Sequence, residues 1–210
     1  MKRRIFVVID LPPELKRGIE DAIAQWRWLP IWWLAPTNWH ITIVPPVYLE
    51  NREVEVLSAL AGRSRFGKPF LIRFSRVVLA PAGVQAPLEA SSDRMSELPF
   101  RQKRNGPLTG QARMIWLEGD TPPELVRLKK KIEKVWGAEK ELPPLKPESR
   151  PVHLHVTLAR FEPGELKELE SKTRTLGEVD FSFEANEVTV MESHLKPSGA
   201  EYKHLAAAPL

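Results

Sequence analysis

The stretch Ile5-Phe-Val-Val-Ile-Asp-Leu-Pro-Pro-Glu-Leu15 returns in altered form as Met114-Ile-Trp-Leu-Glu-Gly-Asp-Thr-Pro-Pro-Glu-Leu125. Each copy opens on a short apolar run that reads as a strand and closes on Pro-Pro-Glu-Leu. Proline fits a helix start because its missing N–H falls where no intrahelical partner exists, and Glu in the first turn suits the helix dipole. An amphipathic pattern follows both copies. Leu15, Ile19, Ala22, Ile23 and Trp26 form one stripe; Leu125, Leu128, Ile132, Val135 and Trp136 form the other. The Pro-Pro-Glu-Leu words lie 110 residues apart, as do Trp26 and Trp136.

Working outward, each helix leads through a proline-containing link to another strand-like run. One is Trp39-His40-Ile41-Thr42-Ile43-Val44; the other is His153-Leu154-His155-Val156-Thr157-Leu158. Helix patterns follow over 51–61 (Val54, Leu57, Leu60) and 164–176 (Leu166, Leu169, Leu176). Strand-like segments then run from Phe70 to Leu79 and from Val179 to Met191. The chain thus reads as β-α-β-α-β(β) written twice. That predicts an α+β, bilobal protein of two pseudo-symmetric lobes, each a small antiparallel sheet with helices on its outer side and a groove between them. It is counted as one domain, 1–210, with repeat units of approximately 1–82 and 112–192, a long loop 83–111 and a C-terminal tail 193–210. The loop is rich in Gly, Pro, Ser and charge. It reads as a solvated surface segment, the alternative being an RNA-gripping loop that uses Arg94, Arg101, Lys103 and Arg104.

Composition narrows the chemistry. With 210 residues and no Cys, the chain offers no disulfide scaffold, thiolate zinc site, iron–sulfur cluster or Cys nucleophile. No apolar stretch is long enough for a membrane span and no cleavable signal is evident, so the expectation is a cytoplasmic protein that makes no membrane contact. The net charge of +4 is uneven: nine basic residues face three acidic ones between Arg63 and Arg104. A basic stretch of this kind favours a polyanion as partner.

The chemistry-bearing residues lie on the two matched strand runs, which share the word His-x-Thr-x, 115 residues apart. Alternation puts residues i and i+2 on one face. His40, Thr42 and Val44 therefore share a face, opposite Trp39, Ile41 and Ile43; His153, His155 and Thr157 oppose Leu154, Val156 and Leu158. The wholly apolar faces are built to pack, which turns the His and Thr faces toward a cleft. Two imidazoles there supply a base and an acid near neutral pH, and two hydroxyls supply donors to anionic oxygens. Arg160, at the end of the second run, adds a charge-assisted contact. Together they describe phosphoryl or phosphodiester chemistry run by positioning and proton transfer, with no metal and no cofactor. A zinc site from His40, His153 and His155 is disfavoured because no Asp or Glu accompanies them on those strands. His153 itself reads as a supporting or surface residue, and His194 and His204 as surface residues. Among the tryptophans, Trp26 reads as core. Trp32 and Trp33, in the Pro30–Pro36 link, are candidates for stacking a base, although packing of the link is the preferred reading. Lys129-Lys130-Lys131 reads as a solvated helix face.

These features resemble the 2H phosphoesterase superfamily, and most closely its LigT-like RNA 2′,3′-cyclic phosphodiesterases, also known as the 2′-5′ RNA ligase family. The resemblance rests on Ile5–Leu15, on the words at 40–43 and 155–158 within Arg150–Arg160, and on the ending Ser193-His-Leu-Lys-Pro-Ser-Gly-Ala-Glu-Tyr202. It implies a bilobal fold, a central groove lined by both words, and metal-free hydrolysis of an RNA 2′,3′-cyclic phosphate end to a 2′-phosphomonoester by a monomer. His40 is then the proton donor to the leaving ribose oxygen and His155 the acceptor from water, while Thr42 and Thr157 hold the phosphate. Two alternatives stay open: 2′-5′ RNA ligation at the same site, and a non-catalytic module that binds RNA ends. One departure stands out. Val44-Pro45-Pro46-Val47 replaces the family's Lys-Phe-Leu-Gly-like sequence, so the prolines are expected to end the strand and leave Arg160 as the main cation.

Overall fold

A computed structural model describes residues 2–80, 112–148, 150–162, 164–166, 169, 175–196 and 199–210. Nine strands and three α-helices are found among these residues. The first half gives β1 (Arg3–Asp10), α1 (Pro13–Ile23), β2 (Trp32–Trp33), β3 (His40–Leu49), α2 (Asn51–Arg63) and β4 (Phe70–Ala80). The second gives β5 (Met114–Glu118), α3 (Pro123–Ala138), β6 (His155–Arg160), β7 (Thr175–Ala185), β8 (Glu187–Lys196) and β9 (Gly199–Pro209). The predicted loop 83–111, with its four basic residues, and most of the predicted helix 164–176 lie outside the described residues. No helix among those described is long and apolar enough to cross a membrane.

The helices form where the repeat places them. α1 and α3 both start with a proline in the first turn followed by Glu14 or Glu124. Leu15, Ile19 and Ile23 are buried on α1, and Leu125, Leu128, Ile132 and Trp136 on α3. Each such side chain contributes about 1.5–3 kcal/mol of transfer free energy, so the stripe rather than intrinsic propensity holds each helix in place. α2 is closed at its N-terminus by a capping box in which the Glu50 amide donates to Glu53 Oε2 at 2.6 Å.

The sheets confirm two antiparallel layers but correct the division of the chain between them. One sheet has the order β3-β1-β8-β9 and the other β2-β6-β5-β4-β7. The last strand of the first repeat, β4, pairs with β5, and the last strands of the second, β8 and β9, complete the sheet begun by β1 and β3. Neither 1–82 nor 112–192 builds a lobe alone. Alternation in a sequence shows that a strand has one buried face but says nothing of its partner, so the exchange could not be read from it. The 193–210 tail is likewise no appendage: its residues form the end of β8 and all of β9, paired from Glu187↔Pro209 to Lys196↔Gly199. A contiguous set of buried side chains runs beneath both sheets, with Trp39 and Trp136 its largest members.

Two local expectations are also corrected. β3 does not stop at the prolines but continues through Pro45 and Pro46 to Leu49. It is an edge strand, and its pairing with β1 shifts register between Val7↔Val44 and Ile5↔Val47. The two prolines sit in that irregularity, exposed, where no ladder donor is required of them. A second shift, between Val8↔Thr42 and Val7↔Val44, puts Val44 out of step with His40 and Thr42, and Val44 is buried like its neighbour Ile43. Lys129, expected in solvent, is largely covered: its Nζ donates to the Ile43 carbonyl at 2.9 Å and pairs with Glu133 and Glu148 at 3.0 and 3.3 Å. It thereby ties α3 to β3.

One glycine is fixed by close approach. A Cβ at Gly119, just after β5, would lie 2.0 Å from the Arg73 carbonyl oxygen on β4. Gly119→Ala must push apart strands of the exchanged pair, and is expected to lower stability by about 1–3 kcal/mol. Thermal unfolding checks this, and an unchanged Tm would show that the strands have room to yield.

Candidate active site

β3 and β6 carry the two His-x-Thr words to facing positions between the sheets. The alternation expected from the sequence holds through the chemistry: Trp39, Ile41 and Ile43 are buried on one face of β3, and Leu154, Val156 and Leu158 around β6. On the other faces His40, Thr42, His155 and Thr157 line a single cavity of about 150 Å³. Arg160 lines it too, so all five residues singled out from the sequence meet there. Among the described residues no group of three or more His, Asp or Glu side chains is placed to hold a metal ion.

The cavity also recruits Arg4, Phe6, Leu34, Asn38, Pro46 and Tyr202. Arg4 and Tyr202 were not expected as site residues. Arg4 follows from β1 pairing with both β3 and β8: the register Val8↔Thr42 and Asp10↔His40 puts Arg4, two and three steps of alternation away, on the same face. Its neighbour Arg3 is taken up on the other face by a two-pronged ion pair with Glu192, at 2.8 and 2.6 Å. Arg4 donates only to Ser193 Oγ, at 2.7 Å, among the contacts of the described residues. Arg4 thus brings a second cation to the cavity beside Arg160, from the strand next to β3. Tyr202 could have been found from the ending Ser193–Tyr202, whose strand register sets it opposite Ser193. No Asp or Glu is found among the described residues that line the cavity.

Each histidine is held by aromatic neighbours. The His40 ring lies 5.2 Å from Phe6 and 5.4 Å from Tyr202, centroid to centroid. His155 stacks on Trp116 at 4.0 Å, with His153 beyond at 5.7 Å. The Nδ1 of His155 lies 3.0 Å from the His153 carbonyl oxygen. A carbonyl only accepts, so Nδ1 carries the hydrogen and neutral His155 keeps its lone pair on Nε2. Burial lowers the pKa of both rings. It takes His40 down to about 4, against weaker opposing effects of the Asn38 backbone and Asp10. His155 is also lowered by burial, with the His153 backbone and Glu118 acting to raise it. At neutral pH the site therefore holds two neutral imidazoles.

Beside the cavity runs a larger groove of about 610 Å³, lined by Trp32, Trp33, Thr37, Gly199 and Glu201 and sharing Leu34, Asn38, Arg160 and Tyr202 with it. β2 explains the groove's floor. Trp32 and Trp33 pair with Arg160 and Ala159 of β6, so the link to β3 starts on one sheet and crosses to the other. Trp33 is half-buried under the Arg27 guanidinium, 5.0 Å from its ring, whereas Trp32 is 57% exposed. Packing was the preferred reading for both; it describes Trp33 and not Trp32.

Residues 115–202 match the model of the LigT like Phosphoesterase family, a span holding His155, Thr157, Arg160 and Tyr202. No curated protein matches the chain in sequence. Among solved structures, E. coli LigT complexed with 3′-AMP superposes with a TM-score of 0.70 at 20% identity, over 100% of this chain and 99% of that one. A structure described as a phosphoesterase gives a TM-score of 0.67 at 21% identity, over 100% and 99% of the two chains. A protein of Thermus thermophilus gives 0.66 at 19%, over 99% and 97%. Likeness at these identities is one of fold. The second half of the chain thus resembles the LigT like Phosphoesterase family, and the whole chain shares the fold of E. coli LigT.

Proposed function

We propose that the protein hydrolyses the 2′,3′-cyclic phosphodiester at an RNA end to a 2′-phosphomonoester and a free 3′-hydroxyl, without a metal ion. The observation that carries this reading is the convergence of both His-x-Thr words and two arginines on one cavity of about 150 Å³, with no carboxylate among its described lining residues. A site so lined attracts an anion and offers it four donors.

In the proposed reaction, Thr42, Thr157, Arg4 and Arg160 hold the non-bridging oxygens and neutralise charge as it develops. Nε2 of His155 accepts a proton from water as the water oxygen bonds to phosphorus. The bond from phosphorus to the ribose 3′ oxygen breaks, and His40 passes its proton to that oxygen. The two rings end with exchanged protonation states, and solvent restores them. The adjacent groove takes the terminal nucleoside, with the base against the exposed face of Trp32.

Replacing either His40 or His155 by Ala is expected to lower kcat by about 10²–10⁴, measured on an oligonucleotide ending in a 2′,3′-cyclic phosphate in excess EDTA. Retained activity in His155→Ala would refute the mechanism; a joined product on adding an acceptor strand would favour ligation instead.

Because kcat/KM requires one ring protonated and the other neutral, and burial lowers both, its maximum lies on the acid side of pH 6.5. It falls as pH rises through that value. A pH–rate profile centred above pH ~7 would contradict this.

Arg4→Gln is expected to weaken competitive inhibition by inorganic phosphate about tenfold, the effect of one charge-assisted hydrogen bond. Trp32→Ala is expected to raise KM about fivefold or more with kcat unchanged.

A further inference from the structure

His155 depends on an acceptor that no sheet ladder holds. β6 begins at His155 itself, so the His153 carbonyl that receives its Nδ1–H lies ahead of the strand. Two side chains fix that segment. Thr121 Oγ1 accepts from the Leu154 amide at 2.9 Å, and Glu118 Oε2 lies 2.8 Å from His153 Nε2. Glu118 stands directly opposite His155 across the β5–β6 ladder, with a side chain only 12% exposed, and its other oxygen is held by Arg76 Nε at 2.7 Å. Burial alone would push this carboxylate's pKa up, but Arg76 and His153 outweigh it and hold the pKa below its usual value. The charge is kept in place, out of the cavity, where it grips a histidine that lines neither the cavity nor the groove.

We propose that Glu118 is a positioning residue for His155, acting through the His153 ring to hold the His153 carbonyl that fixes the His155 tautomer. This deepens the function proposed above, since it matters to catalysis only if His155 is the base. The first word differs: the Nδ1 of His40 is buried without a hydrogen-bond partner among the described residues, so no carbonyl fixes its tautomer as His153 does for His155. Asn38 stands two residues before His40, as His153 does before His155, and its side chain is anchored in turn, donating from Nδ2 to the Ala200 carbonyl at 2.7 Å. A free imidazole favours the hydrogen on Nε2, so a ring whose acceptor drifts would lose the lone pair it presents to water.

The test uses the full chain and two variants. Glu118→Gln removes the carboxylate charge at constant size; His153→Ala removes the other half of the grip while leaving the Arg76–Glu118 pair. ¹⁵N spectra of the imidazoles report the tautomer of His155 independently of any substrate. The wild type is expected to hold the Nδ1–H form and both variants to shift toward Nε2–H, with kcat on a cyclic-phosphate oligonucleotide lowered about tenfold and KM within about twofold. An unshifted His155 in both variants would overturn the proposal, as would a shifted tautomer with unchanged kcat in an active enzyme. If the wild type leaves the cyclic phosphate intact, the function proposed above fails while the spectra still decide whether Glu118 positions His155. Should Glu118→Gln not fold, His153→Ala carries the same two readouts.

Discussion

The pairing of β1 with β8 and of β4 with β5 is the constraint on which the rest of the molecule depends. Each bond set joins the opening strand of one repeat to a closing strand of the other. A chain that satisfied its strands within each half would make two separate sheets with no obligation to face each other. Exchange removes that freedom: β7 belongs to one sheet and β8 to the other, with Asn186 alone between them. The relative placement of β3 and β6, and hence of two histidines 115 residues apart, is therefore fixed by backbone hydrogen bonds rather than by contacts across the cleft. Proton transfer needs reacting atoms placed to within a fraction of an ångström, and a rigid frame supplies this better than a loop.

The cost of such a site is electrostatic. Cavity walls of Phe6, Leu34 and Pro46 take the two imidazoles out of water, and the charged form of each suffers for it. Arg4 and Arg160 add positive potential without a carboxylate to offset it. A cavity of this composition is unfavourable toward a proton and favourable toward an anion. In the reaction proposed above, a bound phosphodiester would reverse the balance, its charge serving as counter-ion to the neighbouring imidazolium. Under that proposal, substrate and proton enter as a linked pair, since no Asp or Glu is found among the described lining residues.

What the sequence made legible follows from which interactions are local. Period-2 alternation around Ile41 and Val156, period-3.6 stripes around Ile19 and Ile132, and Pro-Pro-Glu-Leu at two helix starts are encoded within a few residues, and each corresponds to an observed element. The His-x-Thr faces followed from the same alternation. Strand partners are not local, so the exchange of β4 and β8 was invisible, and with it Arg4, which reaches the cavity only because β1 lies between β3 and β8. Pro45 and Pro46 were misread for a related reason. A proline forbids a ladder donor, but whether one is needed depends on whether the strand is at an edge, a property of the sheet rather than of the residue. Lys129 shows the same limit: three lysines in a row look like a wet surface, and only the proximity of the Ile43 carbonyl makes the first of them structural.

The near-symmetry of the two words makes their differences informative. Register places Asp10 opposite His40 and Glu118 opposite His155, one acid on each opening strand. Asp10 is engaged by Lys16 and the Leu11 amide and touches no histidine partner, whereas Glu118 grips His153 and, through it, the acceptor of His155. His40 is packed instead between Phe6 and Tyr202. The better-supported ring is the one whose lone pair is fixed on Nε2, and the ring whose pKa burial takes down to about 4 is the one that gives up a proton most readily once it has taken one. Environments that push two like groups apart in this sense separate base from acid. They favour His155 for the water and His40 for the leaving oxygen, although the reactive protonation state is then scarce in the free protein. In the proposed reaction, the bound phosphodiester's own charge offsets that scarcity at His40 when a proton is required.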